Sequence, residues 1–230
     1  MKWKVHLSTI LATLILILLT AAIFMQTFSD SKVVRVACIG DSITKRGYPT
    51  LLRTMLGKNY TVGNFGVDGS TVTLDSKIPY MSQTEFQRAL DFHPDIVIIM
   101  LGTNDANPEI SNSEANLELD YARLISSFQE LGGFQQIWVV KSPPIYSNNS
   151  AYNNTVLTSN VIPRINNLAA QMRLPTIDMY SALSNHPEYF TDGVHPNTSG
   201  AAIIAYKVYD AITLPDGSPD YSAFGNGYTG

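Results

Sequence analysis

One cysteine, four histidines and two tryptophans are all that this 230-residue chain holds of those residue types. A lone cysteine excludes a disulfide framework and a cysteine-based metal site. Cys38 lies inside the apolar run Val33 to Ile39, where a thiol packs as a small hydrophobe. Apart from Asp192 and His195, whose spacing suits another role, His, Asp and Glu form no cluster with ligand spacing, so no metal is expected. Charge is also sparse: 15 Lys and Arg face 19 Asp and Glu, a net of −4. No segment concentrates Lys or Arg, which argues against nucleic acid or an anionic membrane surface as partner.

Long apolar runs are missing except at one end. Lys2 and Lys4 precede Leu7 to Phe28, which is apolar apart from scattered Ser, Thr and Gln. This stretch, within residues 1–29, reads as a signal peptide or a retained signal-anchor. Its length suits a bilayer core of roughly 30 Å, and Thr27 and Ser29 permit cleavage before Asp30. Both readings place the rest outside the cytoplasm, secreted or membrane-anchored, since the lysines stay inside. Membrane contact is expected through this segment only.

Beyond it, strand and helix patterns alternate over residues 30–213, as in one domain with a mostly parallel sheet covered by helices. Strands are expected at Val33–Ile39, Tyr60–Asn64, Asp95–Leu101, Gln136–Val140 and Pro175–Asp178. Asp95–Leu101 is continuously apolar after its first residue, the mark of a central strand buried on both faces. Helices are expected at Tyr48–Leu56, Ser82–Asp91, Ser113–Leu131, Thr158–Met172 and Thr198–Ala211. Residues 145–154 read as a surface loop. Residues 214–230, rich in Gly, Asp, Ser and Tyr, read as a loosely ordered tail. Sequons stand at Asn59, Asn148, Asn153 and Asn197.

Three strand ends carry chemistry. Gly40-Asp41-Ser42-Ile43 follows the first strand and delivers a serine where open α/β sheets bind ligands. A serine needs a base, and His195 in Asp192-Gly193-Val194-His195-Pro196-Asn197 is the best candidate. The Asp-x-x-His spacing lets Asp192 fold back on the imidazole and hold its tautomer. Of the other histidines, His6 adjoins the apolar segment, His93 sits at the wrong end of the central strand, and His186 is a distant second choice. A developing oxyanion needs donors, and Asn104, Gly66 and the Ser42 N–H are placed at strand ends to supply them. Asp41 and Asp105 read as caps or braces. Tyr80, Tyr146 and Tyr152, in polar insertions, are candidates for stacking on sugars or for loop packing.

These blocks resemble the SGNH subgroup of GDSL-type esterases and lipases. Ser42 matches in Gly-Asp-Ser-Ile, Gly66 in Asn-Phe-Gly, Asn104 in Gly-Thr-Asn-Asp, and His195 in Asp-Gly-Val-His-Pro-Asn, all in family order over roughly residues 33–212. The resemblance implies a flavodoxin-like, three-layer αβα fold with a five-stranded parallel sheet of order 2-1-3-4-5. It implies catalytic Ser42, Asp192 and His195, an oxyanion hole of Ser42, Gly66 and Asn104, and cofactor-free hydrolysis of carboxylic esters. The wording around Ser42 and Asn104 looks most like carbohydrate or sialate O-acetylesterase members, so the expected substrate is a small-molecule or carbohydrate ester with a short acyl group. A lysophospholipase or thioesterase is the alternative, and a carbohydrate-binding protein without turnover on a hydrolase fold is the second.

Overall fold

The computed structural model describes residues 12–17, 19–20, 33–108, 117–133, 135–147 and 151–213. The chain divides into two units, Met1–Val33 and Val34–Gly230. In the first, residues 12–17 and 19–20 are helical with exposed apolar side chains such as Leu16 and Ile17. Among the described residues no helix is long and apolar enough to cross a membrane. The rest of the expected signal or anchor lies outside the described residues, as does the expected tail at 214–230.

In the second unit the five strands are β1 (Val34–Gly40), β2 (Tyr60–Gly66), β3 (Ile96–Met100), β4 (Gln136–Lys141) and β5 (Thr176–Asp178). They form one parallel sheet in the order β2-β1-β3-β4-β5. The helices are α1 (Ser42–Lys45), α2 (Tyr48–Leu56), α3 (Thr84–Asp91), α4 (Leu117–Gln129), α5 (Ile162–Gln171), α6 (Met179–Leu183) and α7 (Thr198–Thr213). Strand side chains alternate between two buried clusters, the period-two rule at work. Ala37, Ile39, Val97, Ile99, Ile137 and Val139 meet α3, α4 and α5 on one face. Val36, Cys38, Ile96, Ile98 and Met100 meet α2, α6 and α7 on the other. Every residue of β3 is buried, as its unbroken apolar run predicts.

The differences from expectation have local causes. Strand β2 continues to Gly66 because it pairs residue for residue with β1 up to Gly40. The helix expected at Thr158–Met172 is preceded by a helical turn from Asn154, whose N-cap Asn153 accepts from Val156 N–H at 3.1 Å. A wider π turn, Leu157–Val161, lies just before Pro163. Proline lacks the N–H that a regular ladder requires there, and the wider turn absorbs the gap. Residues 113–116 of the helix expected at Ser113–Leu131 lie outside the described residues. Two short helices, α1 and α6, escaped the sequence pattern; each is held by an aspartate N-cap, Asp41 and Asp178.

Candidate active site

Parallel pairing brings the ends of β1, β2 and β3 to one edge of the sheet, with Gly40 level with Gly66 and Met100. Ser42 opens α1 directly after β1. Its turn is made by Asp41, which keeps extended backbone geometry and accepts the Ile43 N–H on Oδ1 at 2.9 Å. That cap leaves Ser42 in the first turn, where backbone N–H groups have no intrahelical acceptor.

His195 reaches Ser42 from the far end of the chain. Ser42 Oγ and His195 Nε2 are 2.9 Å apart, and His195 Nδ1 and Asp192 Oδ2 are 2.7 Å apart. Asp192 Oδ1 also accepts the Val194 and His195 backbone N–H groups at 3.0 and 2.8 Å, so carboxylate and imidazole share one closed turn. Partial burial opposes ionisation of Asp192. The His195 N–H, the imidazole and the Val194 N–H outweigh it and hold the carboxyl down to about 2. Gly193 makes the turn possible: its φ is +80°, and a Cβ there would lie 2.6 Å from Ser147 N. Its carbonyl accepts the Tyr146 and Ser147 N–H groups at 2.7 and 3.1 Å, docking the loop on the segment after β4. Just beyond, Asn197 caps α7, its Oδ1 accepting from Ser199 and Gly200 N–H.

Asn104 follows β3, and its Nδ2 donates to Ser70 O at 2.9 Å and lies 3.5 Å from Asp41 Oδ2. Asp105 is buried and accepts from Val72 N, Thr73 N and Thr73 Oγ1 at 3.0, 3.0 and 2.8 Å. It is a brace for the loop after β2. Burial pushes the carboxyl of Asp105 up, and pushes that of Asp41 up to about 7 against the Ile43 N–H that favours its charge. The Gly66 N–H donates to Asn64 Oδ1 at 3.0 Å. Its lack of a side chain serves packing as well as access: a Cβ would lie 2.3 Å from Lys45 N in α1.

The structure thus brings Ser42, His195 and Asp192 into one hydrogen-bonded chain and sets Gly66 and Asn104 at the neighbouring strand ends. Sequence reasoning missed Ser70, whose carbonyl holds Asn104, and Ser147, because each acts through a backbone contact without a motif; Asn64, inside the Asn-Phe-Gly block, was given no role of its own. For two of the three tyrosines the structure favours packing over sugar stacking. Tyr80 is fully buried and donates to Phe65 O at 2.7 Å, so it packs the core and offers no face to a sugar. Tyr146 donates to Leu183 O at 2.8 Å and lies edge-on to Phe190, a packing role. Tyr152 is half-buried against the core. His186 stacks on Tyr189 and meets Glu188 at 2.8 Å. Burial pushes the Cys38 thiol up to about 12, an inert group in the sheet. Among the described residues no group of three or more His, Cys, Asp or Glu gathers in the manner of a metal site.

A strand-to-helix serine joined to an Asp-x-x-His loop across a 2-1-3-4-5 sheet defines an SGNH-type α/β fold. The family model described as GDSL-like lipase/acylhydrolase matches residues 38–203. The chain belongs to that family. An acetylxylan esterase of Xylanibacter ruminicola is 32% identical, over 78% of this chain and 43% of that protein. The chain therefore spans less than half the length of that relative. The native aryl esterase of M. smegmatis shares the fold at 19% identity and a TM-score of 0.65, over 78% of this chain and 98% of that one. A carbohydrate acetylesterase family member from Sinorhizobium meliloti does so at 21% and 0.63, over 78% and 97%.

Proposed function

We propose that this protein is a serine esterase that removes short acyl groups, acetyl foremost, from carbohydrate esters. The observation that carries the reading is the chain Ser42 Oγ, His195 Nε2, His195 Nδ1, Asp192 Oδ2, with contacts of 2.9 and 2.7 Å. His195 takes the Ser42 proton as Oγ attacks the ester carbonyl, and Asp192 stabilises the imidazolium. The tetrahedral oxyanion takes donors from Ser42 N–H, Gly66 N–H and Asn104 Nδ2. An anionic oxygen accepts more strongly than the neutral Asn64 amide oxygen, so Gly66 N–H turns toward it. His195 then protonates the leaving alcohol, and water repeats the sequence to release the acid.

The acetylxylan esterase relative supports the acetyl and carbohydrate part of the reading. The apolar segment behind Lys2 and Lys4 supports an exported domain, whether that segment acts as signal or as anchor. The test is hydrolysis of p-nitrophenyl esters from acetate to palmitate by the full chain, beside Ser42→Ala. The expected result is a profile highest at acetate and a loss of at least ~10³-fold in kcat for the variant. Rates that rise with acyl length would move the substrate to lipids. Equal background rates in both proteins would remove the esterase reading.

A further inference from the structure

Asp41 joins the turn that presents Ser42 to the amide of Asn104. Oδ1 accepts the Ile43 N–H at 2.9 Å, Oδ2 lies 3.5 Å from Asn104 Nδ2, and the Thr103 hydroxyl stands beside the same carboxyl. Asn104 Nδ2 carries two N–H groups. One is committed to Ser70 O at 2.9 Å; the other points to the side where Asp41 stands. Asp41 is only 1% exposed, so its position is set by packing and by these contacts rather than by solvent. Behind it the loop that carries Ser70 is itself tied down by Asp105 through Val72 and Thr73.

We infer that Asp41 is a positioning residue: one carboxylate fixes the distance and angle between the Ser42 turn and the Asn104 amide, two of the donors that must converge on one oxygen. This rests on the esterase reading above. A simple cap would need one oxygen and no contact with Asn104. The second oxygen faces Asn104, which stands beyond the end of β3, so one side chain meets both the Ser42 turn and the segment that carries the amide. The 3.5 Å approach is long, so the amide is steered without being captured, and its N–H stays available to an oxyanion.

The test separates the two oxygens. Asp41→Ser keeps an N-cap acceptor and removes the oxygen that faces Asn104. Asp41→Asn keeps the shape and turns that oxygen into a donor that repels the Asn104 amide. Both variants are measured alone and combined with Asn104→Ala, on p-nitrophenyl acetate, beside Ser42→Ala. Asn104→Ala is expected to lower kcat by ~10²- to 10³-fold, and each Asp41 variant by ~10- to 100-fold with KM little changed. In the Asn104→Ala background the Asp41 variants are expected to add almost nothing, because they act through that side chain.

Losses that multiply across the two positions would overturn the proposal and leave the esterase reading intact. So would wild-type kcat in both Asp41 variants. Failure of both to fold, read by circular dichroism, would make Asp41 a residue of the fold alone and overturn the proposal likewise. A wild type no faster than Ser42→Ala would overturn the esterase reading, and the proposal with it.

Discussion

Asp41 and Asp192 flank the Ser42–His195 contact, one on each side, and both close a tight turn by accepting backbone N–H groups. Their surroundings differ completely. Asp41 is 1% exposed, and its neighbours are the neutral Asn104 amide and a second buried carboxyl, Asp105. Asp192 has a side chain 54% exposed and meets the His195 imidazole at 2.7 Å. Desolvation rules the first and pushes it up to about 7; hydrogen bonding and the imidazole rule the second and hold it down to about 2. The same local turn therefore yields one carboxyl suited to holding position and one suited to balancing charge. Geometry next to the serine is bought with burial, and geometry next to the histidine is kept by docking on Tyr146 and Ser147.

The strongest way to break the comparison is to remove its centre. His195→Ala is expected to lower kcat on p-nitrophenyl acetate by ~10³-fold or more, and Ser42→Ala with His195→Ala together no further than either alone. Next comes Asp192→Asn, expected to cost ~10²- to 10³-fold, less than a buried triad carboxylate because water solvates this one. That loss should exceed the one from Asp41→Asn in the same assay; the reverse order would mean that positioning outweighs charge at this site.

Proton linkage sharpens the contrast, since the two carboxyls act on stability with opposite signs. The carboxyl of Asp41 is raised in the folded state from 3.8 to about 7, so its contribution is complete below the unfolded value and is lost as pH rises through about 7. That of Asp192 is lowered from 3.8 to about 2, so its contribution is present above the unfolded value and is lost as pH falls through about 2. Urea midpoints at pH 3, 5 and 8 should show Asp41→Asn flattening the decline from pH 5 to 8 in part, because Asp105 shares its direction. Asp192→Asn should leave that decline in place and alter only the acid side. Of smaller size, Gly193→Ala and Gly66→Ala should each destabilise by roughly 1–3 kcal/mol, the first by strained φ and contact with Ser147, the second by contact with α1. Smallest, Asn197→Ala should cost about 1 kcal/mol through the lost cap of α7, read as a lower urea midpoint with kcat unchanged in the folded fraction.

Much of this was legible in the residues, for reasons that are local. The apolar run of β3 and the helical spacing in Tyr48–Leu56 depend on nothing beyond their own segments, and both elements stand where expected. The turn of Asp192 onto His195 spans three residues and follows from their spacing. The contacts that sequence could not show join distant segments through the backbone. Ser70 and Asn104 are 34 positions apart, and Val72 and Asp105 are 33. For Tyr80 the residues left stacking and packing both open, and a long-range contact decides it: its hydroxyl donates to Phe65 O inside the core, which lets the ring be buried. Gly66 was legible as a glycine that must be a glycine, but its tightest neighbour is α1.

The Ser42–His195 contact joins residues 153 positions apart. On the ribosome the serine turn is made early, and its imidazole follows only after every strand of the sheet has been synthesised. On the proposed reading, a nascent chain carries its nucleophile without the base that would activate it, and chains that stop short of residue 195 are expected to stay chemically quiet. On that reading a fluorophosphonate that reacts with Ser42 would serve as a clock for completed folding, counting only those molecules in which Ser42 and His195 have met.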